Sequence, residues 1–329
     1  MSHARLEFGA SAPGKVNLHL GVGDVRADGY HDLATVFQAV DLRETVRLLV
    51  DPDAGTVADG SVVAQMSTFF AVSEPGEDID TRRNLAWRAV DAVVEEYRRR
   101  FPKNAGGSVE LPPVKIVVEK KIFVAGGMAG GSADAAAALV AANEYLGEWG
   151  RGPLDDETLV RLAKTLGADV PFCLTGGTAL GTGRGDDLVE MMSRGEYSWV
   201  FINPNVALPT GQAFARLDDM RHNDPALVPR MDTTHLAQAL VTGDPRRVAG
   251  QLHNDLQPAA VAIRPQLKRL LEVAGGYGLK AIVSGSGPTV ALLCRDYLHA
   301  ANTCNEILDN HHEYEAVVAF GPTEGARPL

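Results

Sequence analysis

The spacing of apolar residues divides the chain into short strands, amphipathic helices and glycine-rich connectors. From Ala10 the run Ala-Ser-Ala-Pro-Gly-Lys-Val-Asn-Leu-His-Leu alternates, which predicts a strand with Val16, Leu18 and Leu20 on one face and Lys15, Asn17 and His19 on the other. A lysine and an amide therefore point the same way. Leu85, Ala89, Val93 and Tyr97 recur every fourth residue, so Asn84 to Arg100 reads as a helix, broken by the Gly- and Pro-containing stretch from Phe101 to Pro113. The β-branched strand from Val114 to Glu119 leads into the loop Val124-Ala125-Gly126-Gly127-Met128-Ala129-Gly130-Gly131-Ser132-Ala133-Asp134. An alanine-rich helix follows from about Ser132 to Leu146, with Gly147 as its predicted stop. The next helix, Asp155 to Leu166, opens on carboxylates, ends at Gly167 and delivers Asp169 just beyond it.

Further along, Gly176 to Gly185 predicts a glycine-rich hairpin at a domain junction. A helical segment from Pro258 to Ala274 precedes strands at Ala281 to Val283 and Thr289 to Cys294. The stretch from Asp51 to Asp80 predicts only edge strands and loops, and Gly321 to Leu329 reads as a loose tail. Mixed helices and strands indicate an α+β fold. At 329 residues the chain exceeds one compact core, so two domains of about 150 residues are expected, divided here as 1–173 and 174–329.

Composition narrows the function. The 31 Lys+Arg against 42 Asp+Glu give a formal charge of −11, which repels polyanions and argues against nucleic-acid partners. An anionic nucleotide must then be held by local dipoles and a few lysines. Cys173, Cys294 and Cys304 are widely spaced and form no CxxC pair, so neither a disulfide framework nor a zinc site is expected. Met1 to Phe8 shows no leader pattern and no apolar stretch reaches about 18 residues, which predicts a cytoplasmic protein with no membrane partner.

The glycine loop sits where a strand gives way to a helix, so its backbone N–H groups and the helix dipole can receive phosphate oxygens. Its spacing lacks the GK-Ser/Thr of the P-loop and the later acidic residue of the dinucleotide fingerprint. On this pattern alone it reads either as a phosphate cradle or as a tight turn packed on a helix. Taken singly, Lys15 reads equally as a solvated strand lysine, Asp169 as a surface carboxylate and Phe214 as a core aromatic.

The loop resembles the second motif of the GHMP kinases, Pro-x-x-x-Gly-Leu-Gly-Ser-Ser-Ala. Their first motif is matched by Ala12-Pro13-Gly14-Lys15-Val16-Asn17 and their third by Ser284-Gly285-Ser286-Gly287-Pro288-Thr289-Val290. Phe123 stands in place of the usual proline, and Ala125 and Ala129 in place of common glycines. The resemblance implies an N-terminal domain like ribosomal protein S5 domain 2, a ferredoxin-like C-terminal domain and an active site between them. Within the family, Ala27-Asp28-Gly29-Tyr30-His31, Arg83-Asn84-Leu85, Gly167-Ala168-Asp169-Val170-Pro171-Phe172 and Leu208-Pro209-Thr210-Gly211-Gln212-Ala213-Phe214 are similar to segments of the bacterial members that phosphorylate a cytidine-diphosphate-linked methylerythritol. Mevalonate, phosphomevalonate, homoserine and galactose kinases, or a relative that kept the fold without catalysis, are the competing expectations.

The resemblance implies catalytic roles for Lys15 and Asp169, and substrate contacts from Asn17, Tyr30, His31, Thr210 and Phe214. It assigns ATP to Asn84, Lys120, Lys121 and the loop from Val124 to Asp134, and implies Mg²⁺ with Ser132 as its expected protein ligand. A small-molecule substrate and a monomer or weak homodimer complete the expectation.

Overall fold

The structure, a computed structural model, describes residues 5–27, 29–101 and 109–329. Asp28, and Gly106-Gly107 of the expected helix breaker, lie outside the described residues. In chain order the elements begin with β1 (Glu7–Val25), β2 (His31–Val50), β3 (Val63–Phe70), α1 (Leu85–Arg100), β4 (Val114–Lys120) and α2 (Gly130–Trp149). They continue with α3 (Asp156–Leu166), α4 (Val170–Thr175), β5 (Thr178–Thr182), β6 (Asp187–Glu190), β7 (Tyr197–Asn203) and α5 (Thr210–Asn223). Then come α6 (Thr234–Thr242), α7 (Pro245–Ala249), β8 (His253–Asn254), α8 (Gln257–Ile263) and α9 (Gln266–Tyr277). The chain closes with β9 (Lys280–Val283), β10 (Val290–Leu293), α10 (Tyr297–Asn310), β11 (Glu315–Gly321) and β12 (Arg327–Pro328).

Local chemistry explains most boundaries. Asn84 caps α1 by accepting from the Ala86 N–H at 2.9 Å, and Asp155 caps α3 by accepting from Thr158 at 2.8 Å. The expected stop of α2 at Gly147 is corrected: the helix runs on to Trp149. It ends at Gly150, where a Cβ would come within 2.6 Å of the Leu146 carbonyl and 2.7 Å of the Tyr97 hydroxyl. The single helix expected from Pro258 to Ala274 is two, because Pro265 cannot continue α8 and instead starts α9.

The first sheet has eight strands, built on the order β12-β1-β2-β4-β3, with β5 joined to β2, β6 to β5 and β8 to β1. β1 and β2 form one long antiparallel ribbon, whose register shifts at Pro13/Gly14, Asn17/His19 and Val22/Val25. The second sheet is antiparallel in the order β11-β7-β10-β9. Numbered within that sheet the order is 4-1-3-2, the ferredoxin-like arrangement, with α9 and α10 packed on it.

β7 is buried along its whole length, and its alternation divides two cores. Tyr197, Trp199 and Phe201 join the apolar cluster that contains α1, α2 and the first sheet, while Val200 and Ile202 join the cluster of α5, α8, α9 and α10. Leu20 and Val22 carry the end of β1 into that second cluster. The ribbon thus extends from one core into the other, and the cleft lies along it. β5, β6 and β12 extend the first sheet from beyond residue 173, so that sheet draws on residues either side of the expected division.

The C-terminal segment is not a loose tail. β12 pairs with Ala10 and Ser11, the Leu329 N–H donates to the Gly9 carbonyl at 2.9 Å, and the Arg43 guanidinium donates to the carbonyls of Glu324 at 2.9 Å and Gly325 at 2.6 Å. Backbone pairing and an arginine fork order a segment whose composition looked featureless.

Candidate active site

Lys15 sits in the middle of β1 with 4% of its surface exposed. Its ammonium donates to Asn17 Oδ1 at 2.6 Å and to the Gly127 carbonyl at 2.8 Å. Asn17 Nδ2 donates in turn to Thr35 Oγ1 at 2.8 Å, and the Thr35 hydroxyl donates to the His19 carbonyl at 2.9 Å, which fixes which way the amide faces. Burial lowers the Lys15 pKa from its ordinary value, and the nearby charge of Asp169 opposes that shift. Asp169 occupies the N-cap of α4, but its side chain makes no capping bond there. Its carboxylate instead lines the cleft together with Lys15 and Asn17.

The three glycine motifs meet at one atom. The Gly127 carbonyl accepts from Lys15 Nζ and, at 3.1 Å, from the Ser284 hydroxyl, while the Thr289 N–H donates to the Gly126 carbonyl at 3.3 Å. Gly127 has φ +79°, and a Cβ there would lie 2.1 Å from the Ser284 carbonyl. At Gly285, φ +57°, a Cβ would lie 2.9 Å from Lys15 Nζ. These contacts leave no room for a side chain, so glycine is required on both sides of the contact. Asn254 Nδ2 donates to the carbonyls of Val283 at 2.8 Å and Gly285 at 2.7 Å, holding the third motif from below.

Ala125 and Ala129, the departures from glycine, adopt φ +53° and +61°. A left-handed alanine costs about 1–2 kcal/mol, so the loop keeps the conformation of its glycine counterparts at a local penalty. Ala129 is also the N-cap of α2 and supplies no side-chain partner. The first-turn amides of this 20-residue helix therefore face the cleft with the positive dipole end, in the arrangement that receives phosphate. Ala125, Gly126, Gly127, Ala129, Gly130, Gly131 and Ser132 all line the cleft, whose volume is about 810 Å³.

Other expected nucleotide residues stand elsewhere. Val124, Met128, Ala133 and Asp134 are not on the cleft wall; Met128, Ala133 and Asp134 are buried behind the loop. Asn84 spends its side chain on the α1 cap and on the Ile79 carbonyl at 3.0 Å. Lys121 is exposed outside the cleft and contributes its backbone N–H to Glu44 Oε2 at 2.7 Å. Lys120 is 3% exposed beneath the loop, with its ammonium 2.9 Å from Glu44 Oε1 and 2.6 Å from Asp134 Oδ2. Burial pushes Glu44 up to about 7 and Asp134 upward too. For Lys120 the desolvation is outweighed by the two carboxylates, which hold it charged. Lys120 thus braces the loop from inside. No sequence pattern marked Glu44 as its partner, because 76 positions separate them and only the β2–β4 pairing brings them together.

At the far end of the cleft, the His31 ring lies 5.0 Å from that of Phe214 with 33° between planes. His31 Nε2 bonds Asp218 Oδ1 at 2.9 Å. Tyr30 is 55% exposed, and the Arg184 guanidinium lies 5.5 Å from its ring centre. Thr210 Oγ1 and Ser286 Oγ are 2.9 Å apart, tying the start of α5 to the third motif. Asp218 and Arg184 line the cleft without having been singled out in the sequence, and Leu85, read there as part of the α1 face and of the Arg83-Asn84-Leu85 segment, lines it too. Asp218 was discoverable in principle, since it follows Phe214 by four residues and so shares its helix face.

A magnesium ion carried on nucleotide phosphates needs few protein ligands. The cleft fits that requirement in its donors: the Ser132 hydroxyl and the Asp169 carboxylate both line it. Among the described residues no helix is long and apolar enough to cross a membrane.

Comparison with known proteins agrees with this geometry. Residues 84–177 match the GHMP kinases N terminal domain and residues 236–312 the GHMP kinases C terminal domain. A 4-diphosphocytidyl-2-C-methyl-D-erythritol kinase of Corynebacterium efficiens is 46% identical over 318 residues, covering 96% of this chain and 94% of that protein. The enzyme of the same name from Nocardia farcinica is 44% identical over 321 residues, covering 97% and 95%. A crystal structure of 4-(cytidine 5'-diphospho)-2C-methyl-D-erythritol kinase superposes with a TM-score of 0.68 at 28% identity, covering 95% of this chain and 98% of that one. With both domains matched, both sheets ordered as the fold requires and the three glycine motifs converging on one cleft, the chain belongs to the GHMP family of ATP-dependent small-molecule kinases, among the 4-diphosphocytidyl-2-C-methyl-D-erythritol kinases.

Proposed function

We propose that this protein transfers the γ-phosphoryl group of ATP to the 2-hydroxyl of 4-diphosphocytidyl-2-C-methyl-D-erythritol, giving the 2-phosphate and ADP in non-mevalonate isoprenoid synthesis. The observation that carries the reading is the convergence of Lys15, Asp169 and the phosphate-receiving end of α2 in a cleft whose far end is a His31–Phe214 recess.

The phosphates of ATP lie against the backbone of Gly126, Gly127, Gly130 and Gly131, with the α2 amides neutralising part of their charge. Ser132, which lines the cleft, would hold Mg²⁺, which when bound would supply charge neutralisation for the phosphates. Asp169 orients the 2-hydroxyl and accepts its proton as the new P–O bond forms. Lys15 stabilises the charge spread over the transferring group and, through the Gly127 carbonyl, holds the loop at its working distance. Asn17 hydrogen-bonds the polyol. His31, Tyr30 and Phe214 receive the cytosine, offering stacking faces and a polar edge, and Thr210 supports the substrate side. The protein acts in the bacterial cytoplasm as a monomer or weak homodimer; its three cysteines are free and buried, consistent with a reducing compartment.

The test supplies purified protein with ATP and Mg²⁺ and, separately, the cytidyl substrate, mevalonate, homoserine and galactose, following ADP release. Turnover is expected only with the first. No turnover with it, or a comparable rate with mevalonate, would sink the assignment.

A further inference from the structure

We propose that Asp218 sets the tautomer of His31, and with it the preference of the recess for a base edge that presents an amine rather than a carbonyl. The inference rests on the reading above that the recess takes a pyrimidine.

His31 begins β2, Asp218 and Phe214 lie on α5, and the three meet across the cleft. The His31 side chain is 6% exposed, its ring against that of Phe214 and its Nε2 edge on the Asp218 carboxylate, so its orientation is set by packing as well as by the 2.9 Å bond. An ionised carboxylate only accepts hydrogen bonds. Nε2 must therefore carry the proton, which it donates to Asp218 Oδ1. In the neutral imidazole this leaves the lone pair on Nδ1, making that atom an acceptor. No group among the described residues bonds Nδ1.

An acceptor on a ring that lines the cleft complements the exocyclic amine of cytosine, N4. It opposes the corresponding O4 carbonyl of uracil, because two acceptors facing each other in a partly dry site lose their water without gaining a bond. The opposite tautomer would reverse the preference. Asp218 is thus a positioning residue: it acts on the base only through the imidazole. This is the arrangement by which an outer carboxylate fixes the tautomer of a metal-bound histidine, here applied to a base edge.

The experiment measures the His31 imidazole nitrogens by ¹⁵N NMR in the full-length protein at neutral pH. In parallel, kcat/KM is determined for the cytidyl substrate and its uridyl analogue in wild type, Asp218→Asn and Asp218→Ala. Wild type should show a protonated Nε2 and an unprotonated Nδ1. Asp218→Asn, whose Oδ1 can still accept from Nε2–H, should weaken that single-tautomer signature, and Asp218→Ala should lose it. Its cytidyl kcat/KM should fall by about 10- to 100-fold, mainly through KM, the worth of one specific hydrogen bond in a partly buried site. The uridyl value should hold or rise, so the discrimination ratio narrows. An Nδ1-protonated or doubly protonated ring in wild type overturns the proposal without recourse to any variant. An unchanged discrimination ratio in a folded Asp218→Ala protein overturns it equally. If wild type shows the Nε2–H tautomer yet turns over neither substrate, the function reading fails while the Asp218–His31 relation stands.

Discussion

Replacing Lys120 by methionine tests how the glycine loop is supported. The Lys120 ammonium lies between two carboxyl groups, 2.9 Å from Glu44 Oε1 and 2.6 Å from Asp134 Oδ2, with side-chain exposures of 3%, 0% and 4%. Methionine keeps most of the stem's packing and removes the charge, leaving two buried carboxyls with no cation. Removing one partner of a buried ion pair costs about 3–5 kcal/mol. That is a large share of the roughly 5–15 kcal/mol by which a folded protein is stable. The penalty depends on pH with a definite sign. The ordinary values are 4.5 for Glu44 and 3.8 for Asp134, and burial raises both in the folded protein, Glu44 to about 7 even with the lysine present. Below about pH 3 both groups are protonated whether folded or not, so the variant's deficit is small there. As pH rises the unfolded chain ionises first, at the same cost to both proteins; the variant falls behind where the wild-type folded carboxyls ionise and its own, raised further by loss of the lysine, do not, each further unit costing about 1.4 kcal/mol. The deficit should therefore widen as pH rises through the wild-type folded values, which for Glu44 means about 7 and above.

Urea denaturation of both proteins at pH 4.5, 6, 7.5 and 8.5 measures this directly. A gap that stays constant across the series, or one below about 1 kcal/mol at pH 8.5, would refute the reasoning. The KM for ATP should rise as well, because Glu44 accepts the N–H groups of Lys121 at 2.7 Å and Ile122 at 3.4 Å where β4 gives way to the loop.

Three other outcomes are expected. Asp169→Asn should lower kcat by roughly two orders of magnitude or more with little change in ATP affinity, since the group acts on the reacting hydroxyl; rapid-quench and ATP-binding measurements separate the two, and an unchanged kcat removes Asp169 from the mechanism. Gly127→Ala places a methyl 2.1 Å from the Ser284 carbonyl at φ +79°, so the third motif must move off the loop. Its ATP KM should rise at least tenfold, and near-wild-type kinetics would show that the contact is dispensable. Truncation after Gly321 removes β12 and the carbonyls held by Arg43, and should lower the midpoint of thermal unfolding by several degrees; an unchanged midpoint would mean that the pairing with β1 contributes nothing.

Much of this protein is legible along the chain because it is encoded locally. Alternation in β1, the every-fourth-residue pattern of α1 and the caps at Asn84 and Asp155 each depend on residues a few positions apart. The glycine motifs declare themselves in the same way, since backbone that must approach another chain segment closely excludes a Cβ. What the motifs touch was settled only by the tertiary structure. Gly127 meets Ser284 across 157 positions and Lys15 across 112, and the glycine requirement arises from those contacts.

Lys120 illustrates the limit most clearly. A lysine beside a phosphate loop suggests a ligand contact, but β2 delivers Glu44 and α2 delivers Asp134 to the same interior point, and the ammonium is more stable between two buried carboxylates than across the loop from them. The tail from Gly321 shows the reverse error: a polar, featureless stretch becomes ordered because an open edge of β1 and the Arg43 fork accept it. Periodicity and steric exclusion are properties of neighbouring residues and can be read in order. Charge pairing and strand edges are properties of the packed whole, because they depend on which groups the fold removes from water together.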